Sequence, residues 1–336
     1  MVKPKYSFLT PEQVDHWMEH GYIVLHGVIK PEYIKLYTAD LWVRLGYDPN
    51  DQSTWAAERM HMPWHHSVPA SIVAPDAWRA MCDLLGGADR LDPLCTEWKD
   101  NFILNLGSEG LTEDSCPKNP QDLEDWHVDG DWFRHYLDSP DQALLMIALF
   151  SGVRSGGGAT WIAPDGIGPI AKVLLSHPEG TLSPEFGGFP WRSVIPQCRE
   201  FVELTGEAGD VVLLHPLMLH SASKNWRRDV RLITNPPGIL KEPFDFNRED
   251  REEFSLVELK TLKELGRDRV EYQLTGRRER LVSARVGNTD KLLEQEMMRL
   301  KKHSEATGKP IDSLRVNKYN ERIYEHSVQV LIVRRR

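Results

Sequence analysis

Cysteine is scarce in this sequence of 336 residues, and what is scarce or missing narrows the classes of protein it can encode. The four cysteines, Cys82, Cys95, Cys116 and Cys198, lie far apart and form no Cys-x-x-Cys pair, so we expect reduced thiols rather than a disulfide framework. No apolar run approaches the ~18 residues of a membrane-spanning helix, and the first residues lack the apolar core of a secretory signal. These absences predict a cytoplasmic protein with no membrane partner.

A surplus of positive charge is missing as well. The chain has 50 acidic and 41 basic residues, which gives a formal net charge of −9. Nucleic acids and anionic membranes attract proteins with surplus lysine and arginine, so neither is an expected partner. Hydrophobic residues make up 40% of the chain, which is enough for a sizeable core, and the length fits one large domain or two ordinary ones.

What the sequence does contain is a short segment with the pattern of a metal site, Trp-His-Val-Asp-Gly-Asp at residues 126–131. Side chains two apart on a β-strand point to the same face, so we predict that His127 and Asp129 share a strand and offer a nitrogen and an oxygen to one ion. A third ligand must come from elsewhere, and His220 is the best candidate, with His215 as its competitor. Two histidines and one carboxylate form the facial triad of non-haem Fe(II) oxygenases, which leaves coordination positions open for a co-substrate and O2.

Eleven residues after His220 comes Arg231, and a fixed guanidinium is the group that binds a carboxylate with two hydrogen bonds. Arg227 and Arg228 are nearer to His220, but they lie in a polar turn and are expected to be solvated. His215 directly follows an apolar strand and precedes a proline, a position that also suits a buried, hydrogen-bonded histidine.

This combination of His-x-Asp, a distant histidine and an arginine eleven residues further on resembles the phytanoyl-CoA dioxygenase family of Fe(II)/2-oxoglutarate enzymes. The Trp-His-x-Asp-Gly-Asp segment, an Asn-Phe-Ile strand and a Thr-Asn-Pro-Pro segment look more closely like a fungal-type subgroup. The resemblance covers roughly residues 8–265. It implies that His127, Asp129 and His220 are the ligands of a catalytic Fe(II) ion. It also implies that Arg231 holds the far carboxylate of 2-oxoglutarate.

Two contacts of the co-substrate stay open. In the resembled family a serine two residues after the distal histidine assists the arginine, and Ala222 stands at that position here. Thr160, which follows three glycines and is expected to face inward from a strand, is a candidate substitute. Asn101 or Asn105, on a strand predicted over residues 98–106, either contacts 2-oxoglutarate or satisfies a backbone group.

The resemblance also implies the reaction. 2-Oxoglutarate and O2 are consumed, succinate and CO2 are released, and an unactivated C–H bond of a small organic molecule is oxidised by hydroxylation, desaturation or ring formation. Halogenases of this type lack the carboxylate ligand, so Asp129 argues against halogenation. A non-catalytic binding protein of the same fold and a metal enzyme that does not use 2-oxoglutarate are the alternatives. Asp131, Arg134 and His135 either orient a ligand or form a salt-bridged loop.

The substrate pocket is predicted from aromatic and polar side chains, namely Trp64, His65, Trp132 and Phe133. Residues 47–70 are predicted to form a loop that is either ordinary surface or a wall over the site. Such a pocket suits a substrate from secondary metabolism or an amino-acid-derived molecule, and it suits an acyl chain equally well. No extended basic groove indicates a coenzyme A substrate.

Many short strands, glycine turns and helices near both ends predict a mainly β fold with flanking helices. The resemblance implies a double-stranded β-helix, that is, a jelly-roll or cupin-like core. Residues 1–254 are predicted to form this domain with N-terminal helices. Residues 255–336 are predicted to form a helical extension packed on it, with a homodimer through the C-terminal helices as the alternative. The predicted helices cover residues 11–20, 31–45, 75–86, 168–176 and 255–302, and the predicted strands cover residues 22–26, 98–106, 142–151, 159–163, 201–204, 211–215 and 230–235.

Overall fold

The structure is a computed structural model that describes residues 6–282 and 286–309. Within these residues the chain forms antiparallel β-sheets and helices. The strands are β1 (Tyr22–Leu25), β2 (Arg59–His61), β3 (Ser67–Pro69), β4 (Glu97–Lys99), β5 (Ile103–Asn105), β6 (Leu144–Leu149), β7 (Thr160–Ala163), β8 (Val202–Leu204), β9 (Val211–Leu214), β10 (Leu219–Ala222), β11 (Arg231–Thr234) and β12 (Pro237–Gly238). The α-helices are α1 (Pro11–His20), α2 (Pro31–Thr38), α3 (Leu41–Leu45), α4 (Ala70–Val73), α5 (Pro75–Leu85), α6 (Ile167–Ser176), α7 (Leu256–Leu265) and α8 (Val286–Thr307). None of the described helices is both long and apolar enough to cross a membrane.

Seven strands form the larger sheet, in the order β1-β9-β6-β11-β5-β2, with β12 paired to β6. A smaller sheet has the order β10-β7-β8, and β3 pairs with β4. Every pairing among the described strands is antiparallel. The predicted combination of β-strands with helices is therefore confirmed, but helices contain more of the described residues than strands do, so the fold is mixed rather than mainly β.

The centre of the larger sheet is β6, whose six residues are all buried. Its near-continuous apolar sequence predicted a strand buried on both faces, and that prediction is confirmed. Each fully buried leucine or isoleucine side chain contributes about 1.5–3 kcal/mol relative to an exposed one. The strand therefore fixes the neighbouring β9 and β11, and β11 carries Arg231.

Helix α1 begins and ends where its sequence predicts. The Thr10 hydroxyl accepts a hydrogen bond from the Gln13 amide at 3.2 Å, and the Gln13 side chain accepts one from the Thr10 amide at 3.0 Å. Gly21 ends the helix with φ 72°, a left-handed conformation that glycine adopts without strain. The chain then enters β1 directly, where Tyr22 lies opposite Leu214 of β9.

Two predicted elements are broken in the structure. The helix predicted over residues 31–45 is interrupted at Asp40, which leaves the helical conformation before α3, as aspartate tends to do at helix ends. The strand predicted over residues 98–106 is split into β4 and β5, which belong to different sheets. The fully buried Asp100 carboxylate causes the split, because it accepts hydrogen bonds from the backbone amides of His65 and His66. The loop predicted over residues 47–70 accordingly contains the short strands β2 and β3.

The C-terminal region packs on the rest of the molecule but is not one continuous helical pattern. Gly266 ends α7 in a left-handed conformation, and residues 267–282 are not helical. Helix α8 lies against α3, where the buried Glu296 carboxylate accepts a hydrogen bond from Nε of Arg44 at 2.8 Å. Residues 310–336 of the predicted extension lie outside the described residues, and both the domain division and a homodimer remain predictions.

Candidate metal centre

The two predicted histidine ligands are held together by their own backbones. The His127 amide donates to the His220 carbonyl and the His220 amide donates to the His127 carbonyl, each at 3.0 Å. These two hydrogen bonds form an isolated β-bridge between His127 and His220 of β10, and the segment around His127 does not form a strand. The prediction that His127 and Asp129 share a regular strand is therefore wrong. Gly130, with φ 125°, turns the chain directly after Asp129 and prevents a strand from continuing.

The three ligand atoms nevertheless converge. Oδ1 of Asp129 lies 3.3 Å from Nε2 of His127 and 3.6 Å from Nε2 of His220, and the three donor atoms all lie within 4.8 Å of one another. Donor atoms on one ion at right angles are separated by about 3 Å, given ligand distances of about 2.1 Å. Two nitrogens and one carboxylate oxygen at this spacing fit a divalent ion with only small adjustments.

Both imidazoles are oriented for ligation. Nδ1 of His127 donates to the Asp125 carbonyl, and Nδ1 of His220 donates to the Met218 carbonyl at 3.1 Å. A carbonyl only accepts hydrogen bonds, so each Nδ1 carries the hydrogen and each Nε2 lone pair is left for an ion. His220 is buried, whereas the His127 side chain is 43% exposed, so an ion can reach the site from that side.

The Asp129 carboxylate is oriented by a residue that the sequence did not single out. Nδ2 of Asn235 donates to Oδ2 of Asp129 at 3.1 Å, which leaves Oδ1 for the ion. Asn235 directly follows β11. Alternate residues of a strand share a face, so Arg231, Ile233 and Asn235 lie on the same face. The Thr-Asn-Pro-Pro segment marked this place as the end of a strand, but nothing in the segment indicated the contact.

Asp129 and His127 shift one another's pKa values. Burial raises the pKa of the Asp129 carboxyl, but the neighbouring imidazoles outweigh that effect and hold its pKa well below the usual value. Burial lowers the pKa of His127, yet the adjacent Asp129 carboxylate leaves that pKa raised overall. Protons therefore compete with a metal ion for the same nitrogen lone pairs.

Arg231 is buried in β11, and no anionic side chain in the described part of the chain pairs with it. Its Nη2 donates to the Thr160 hydroxyl at 2.8 Å, its Nε has no partner, and no carboxylate of the described residues pairs with it. Burial, together with the charge of Arg59, lowers the pKa of its guanidinium to about 9. A buried cation of this kind is strongly disfavoured unless an anion compensates it.

The position of Arg231 relative to the three ligands follows from the strand register. Thr160 lies opposite Ala222, while Ile162 lies opposite His220, so the Thr160 hydroxyl and the His220 ligand are two residues apart along paired strands. Two residues of strand correspond to ~7 Å. Because β7 belongs to the smaller sheet and β11 to the larger one, the Arg231–Thr160 hydrogen bond joins the two sheets beside the three ligands.

The two asparagines predicted near the co-substrate differ in position. Asn105 is fully buried directly opposite Arg231, and its Oδ1 accepts from the Gly107 amide at 3.0 Å. Its Nδ2 has no partner within residues 6–282 and 286–309. Asn101 is half-buried between β4 and β5. Only Asn105 therefore places an unpaired donor group beside the guanidinium.

A small cavity, with room for about one or two water molecules, is lined in part by Asp129. Of the four predicted pocket residues only Phe133 lines it; Trp132 is half-buried next to Phe133, with ring centroids 5.4 Å apart. Trp64 and His65 lie elsewhere. The Trp64 ring is 4.8 Å from the Lys99 ammonium, and Nε2 of the buried His65 is bonded to Glu296 at 2.8 Å.

His215 and Arg227, the alternatives to His220 and Arg231, form hydrogen bonds to other residues. Nδ1 of the fully buried His215 accepts from the Leu217 amide at 3.2 Å, so its Nε2 donates to the Thr261 hydroxyl at 3.0 Å. Burial lowers the pKa of His215 to about 3, with Lys260 adding to the effect. Arg227 donates to the Ser155 carbonyl at the surface and is not part of the site.

Comparison with known proteins gives distant likenesses only. No family model matches the chain, and no curated protein matches it. Among solved structures, the chain is similar to the non-heme alpha ketoglutarate dependent carbocyclase SnoK from nogalamycin biosynthesis, with 16% identity over 70% of this chain and 86% of that chain and a TM-score of 0.42. It is also similar to HygX from Streptomyces hygroscopicus with nickel and 2-oxoglutarate bound (17% identity, 68% and 86% covered, TM-score 0.36). A third is EctD from S. alaskensis with 2-oxoglutarate and 5-hydroxyectoine (13% identity, 69% and 76% covered, TM-score 0.36).

Proposed function

We propose that this protein is an Fe(II)/2-oxoglutarate-dependent oxygenase that oxidises an unactivated C–H bond of a small organic molecule. The observation that carries the proposal is the buried Arg231 guanidinium, which has no anionic partner among the described residues. It donates to Thr160, which lies two strand residues from the position opposite His220, one of three converging candidate ligands. Two histidines and one carboxylate suit Fe(II) in enzymes that bind a co-substrate and O2 on the same ion. A five-carbon diacid has the length to connect such an ion with the guanidinium.

In this proposal, His127, Asp129 and His220 hold the iron, and the groups behind them keep their orientation. The Asp125 and Met218 carbonyls fix the imidazole tautomers. When bound, the iron and 2-oxoglutarate supply the oxidising chemistry, in which O2 is consumed and succinate and CO2 are released. The protein supplies position, and the joined sheets make that position rigid.

Arg231 would bind the far carboxylate of 2-oxoglutarate with help from two neighbours. Its Nε is unpaired, and the Thr160 hydroxyl, which accepts from Arg231, keeps its own hydrogen for a carboxylate oxygen. Nδ2 of Asn105 is a third unpaired donor. Thr160 thus takes the part of the serine that the resembled family has two residues after the distal histidine.

We further propose that the larger sheet and the three-stranded smaller sheet are the two halves of a double-stranded β-helix formed within residues 1–254. The hydrogen bond between Arg231 and Thr160 supports this arrangement, because it joins a strand of one sheet to a strand of the other. Residues 255–336 would be an extension of the same domain, which the buried contact between Arg44 and Glu296 supports.

Anaerobic titration tests the proposal. Adding 2-oxoglutarate to the Fe(II)-loaded protein should produce a visible metal-to-ligand charge-transfer band, which reports a keto acid bound to the iron. Asp129→Ala should lose iron binding and succinate formation together, whereas Asp122→Ala, at an exposed position seven residues earlier, should keep both. Iron bound by the wild type with no band at saturating 2-oxoglutarate would favour a metal enzyme or binding protein that does not use the keto acid.

A further inference from the structure

Arg59 belongs to the same face of the larger sheet as Arg231. Arg59 of β2 and Arg231 of β11 both lie opposite Asn105 of β5, which runs between them. Side chains directly opposite each other in an antiparallel sheet point to the same face, with Cβ atoms about 5 Å apart. The three side chains therefore form one row across the sheet. Burial and then the charge of Arg59 lower the pKa of Arg231, so the two guanidinium groups act on each other.

The two arginines differ in their access to solvent. Arg231 is buried, whereas the side chain of Arg59, on the edge strand of the sheet, is 40% exposed. Nη1 of Arg59 donates to Oδ2 of Asp125 at 3.0 Å, and the Asp125 carbonyl accepts from Nδ1 of His127. The His127 side chain is itself 43% exposed. Arg59 is therefore linked through one residue to the ligand that solvent reaches, at the open side of the candidate metal centre.

The ion pair between Arg59 and Asp125 leaves the guanidinium available to another anion. It joins Nη1 to one carboxylate oxygen, and the Asp125 side chain is 61% exposed. Exposed ion pairs contribute little free energy, because both groups stay hydrated and salt screens their attraction. A ligand carboxylate that accepts two parallel hydrogen bonds from the same guanidinium would be the stronger partner.

We propose that Arg59 determines specificity by binding a carboxylate of the substrate, so that the substrate is a small carboxylic acid. The inference rests on the proposed function and specifies its substrate class. One guanidinium supplies a single positive charge, which a carboxylate balances and a phosphate or coenzyme A group exceeds. With 2-oxoglutarate on Arg231, the substrate carboxylate replaces Asp125 on Arg59, and the rest of the substrate extends past His127 towards the metal.

N-acetylated amino acids and their primary amides test the proposal, because the two members of each pair differ only in the carboxylate. Dissociation constants are measured by ligand-observed NMR on the full chain loaded with Fe(II) and 2-oxoglutarate under anaerobic conditions. The wild type should bind at least one of these acids about tenfold more tightly than its amide, as expected for hydrogen bonds to a charged group. In Arg59→Gln this preference should fall to less than about twofold. A series in which no acid binds more tightly than its amide overturns the proposal.

Two further variants separate substrate recognition from the surface ion pair. Asp125→Asn removes the competing anion, so the same acid should bind about threefold more tightly while its amide binds as before. Arg79→Gln, at an exposed arginine that pairs with Asp76, should keep the wild-type preference. Arg59→Gln should unfold at the wild-type temperature, because it loses only an exposed ion pair. A preference that survives in Arg59→Gln, or an acid affinity that does not rise in Asp125→Asn, overturns the proposal.

The charge-transfer band distinguishes this inference from the proposed function. Arg59→Gln should bind 2-oxoglutarate within about twofold of the wild type, because the keto acid is assigned to Arg231. A band lost in Arg59→Gln would assign Arg59 to the co-substrate and overturn the substrate proposal. Equal binding of acid and amide by a wild type that shows the band overturns the carboxylate assignment and leaves the oxygenase intact. A preference that depends on Arg59 in a wild type without the band supports the carboxylate site and overturns the oxygenase.

Discussion

At the scale of single residues, the Arg231 guanidinium is buried beside a hydroxyl group rather than a carboxylate. Arg231→Leu should raise the dissociation constant for 2-oxoglutarate by at least about thirtyfold, since a buried charge contact with a carboxylate is worth about 2 kcal/mol or more. Without ligand the variant should be no less stable than the wild type, because leucine replaces a buried charge that has no counter-ion. Calorimetric titration and thermal unfolding measure the two effects.

Arg227→Leu is the matched control for Arg231, because Arg227 lies in the preceding turn at the surface. It should bind 2-oxoglutarate as the wild type does. If Arg231→Leu also binds the keto acid with an unchanged constant, the guanidinium is not its anchor.

Asn235 belongs to the same scale, since it would act on the proposed metal ion through its hydrogen bond to Asp129. Asn235→Ala removes the hydrogen bond to Oδ2 of Asp129, and the affinity for Fe(II) should fall about tenfold or more, as for other partners of metal ligands. Asn247→Ala, at an exposed position, should leave it unchanged. Competitive chelator titration gives both affinities, and equal values for the two variants would mean that Asn235 does not orient the carboxylate.

Residue type and spacing predicted from the sequence that His127, Asp129 and His220 would converge, because metal binding demands particular side chains, and they do. They did not single out Asn235. An asparagine is common at strand ends, and the partner of its amide depends on which side chains the fold brings to it.

At the scale of elements, the buried ion pairs between Arg44, Asp100 and Glu296 attach α8 to α3. Glu296→Ala should lower the free energy of unfolding by at least about 2 kcal/mol, because it leaves a buried guanidinium with one carboxylate instead of two. Glu294→Ala, on the exposed side of the same helix, should change it by no more than about 0.5 kcal/mol. Urea unfolding measures the difference, and equal stabilities would indicate that α8 folds apart from the rest.

Long periodic elements such as α1, β6 and α7 could be predicted, because their apolar patterns and end signals are local. Several short strands were predicted as well (β1, β7, β8, β9 and β11), whereas β2, β3, β10 and β12 were not. Strand β10, which carries His220, exists because it pairs with β7 and His127, and the split between β4 and β5 exists because of the buried Asp100. Both causes involve residues distant in the chain.

At the scale of the whole molecule, buried neutral histidines make the fold sensitive to acid. Burial lowers the pKa of His215 to about 3 and that of His135 to about 4, both below the 6.5 of an ordinary histidine. The unfolded chain therefore binds protons more tightly, and each histidine should lower the free energy of unfolding by about 2 kcal/mol between pH 7 and pH 5. Glutamine does not titrate, so between pH 7 and pH 5 the free energy of unfolding of His215→Gln should fall by about 2 kcal/mol less than that of the wild type. Urea unfolding at the two pH values measures this difference. A variant as acid-sensitive as the wild type would contradict the assignment.

The hydrogen bond between Arg231 and Thr160 joins the two sheets, so in the proposed function the metal ligands and the guanidinium belong to one site. A crystal structure of the protein with Fe(II) and 2-oxoglutarate, prepared without oxygen, tests that arrangement most directly. We predict an anomalous iron peak within about 2.2 Å of Nε2 of His127, Nε2 of His220 and a carboxylate oxygen of Asp129, with the far carboxylate of the keto acid on Arg231. An iron peak at other side chains, or a keto acid whose far carboxylate turns away from Arg231, would contradict the account.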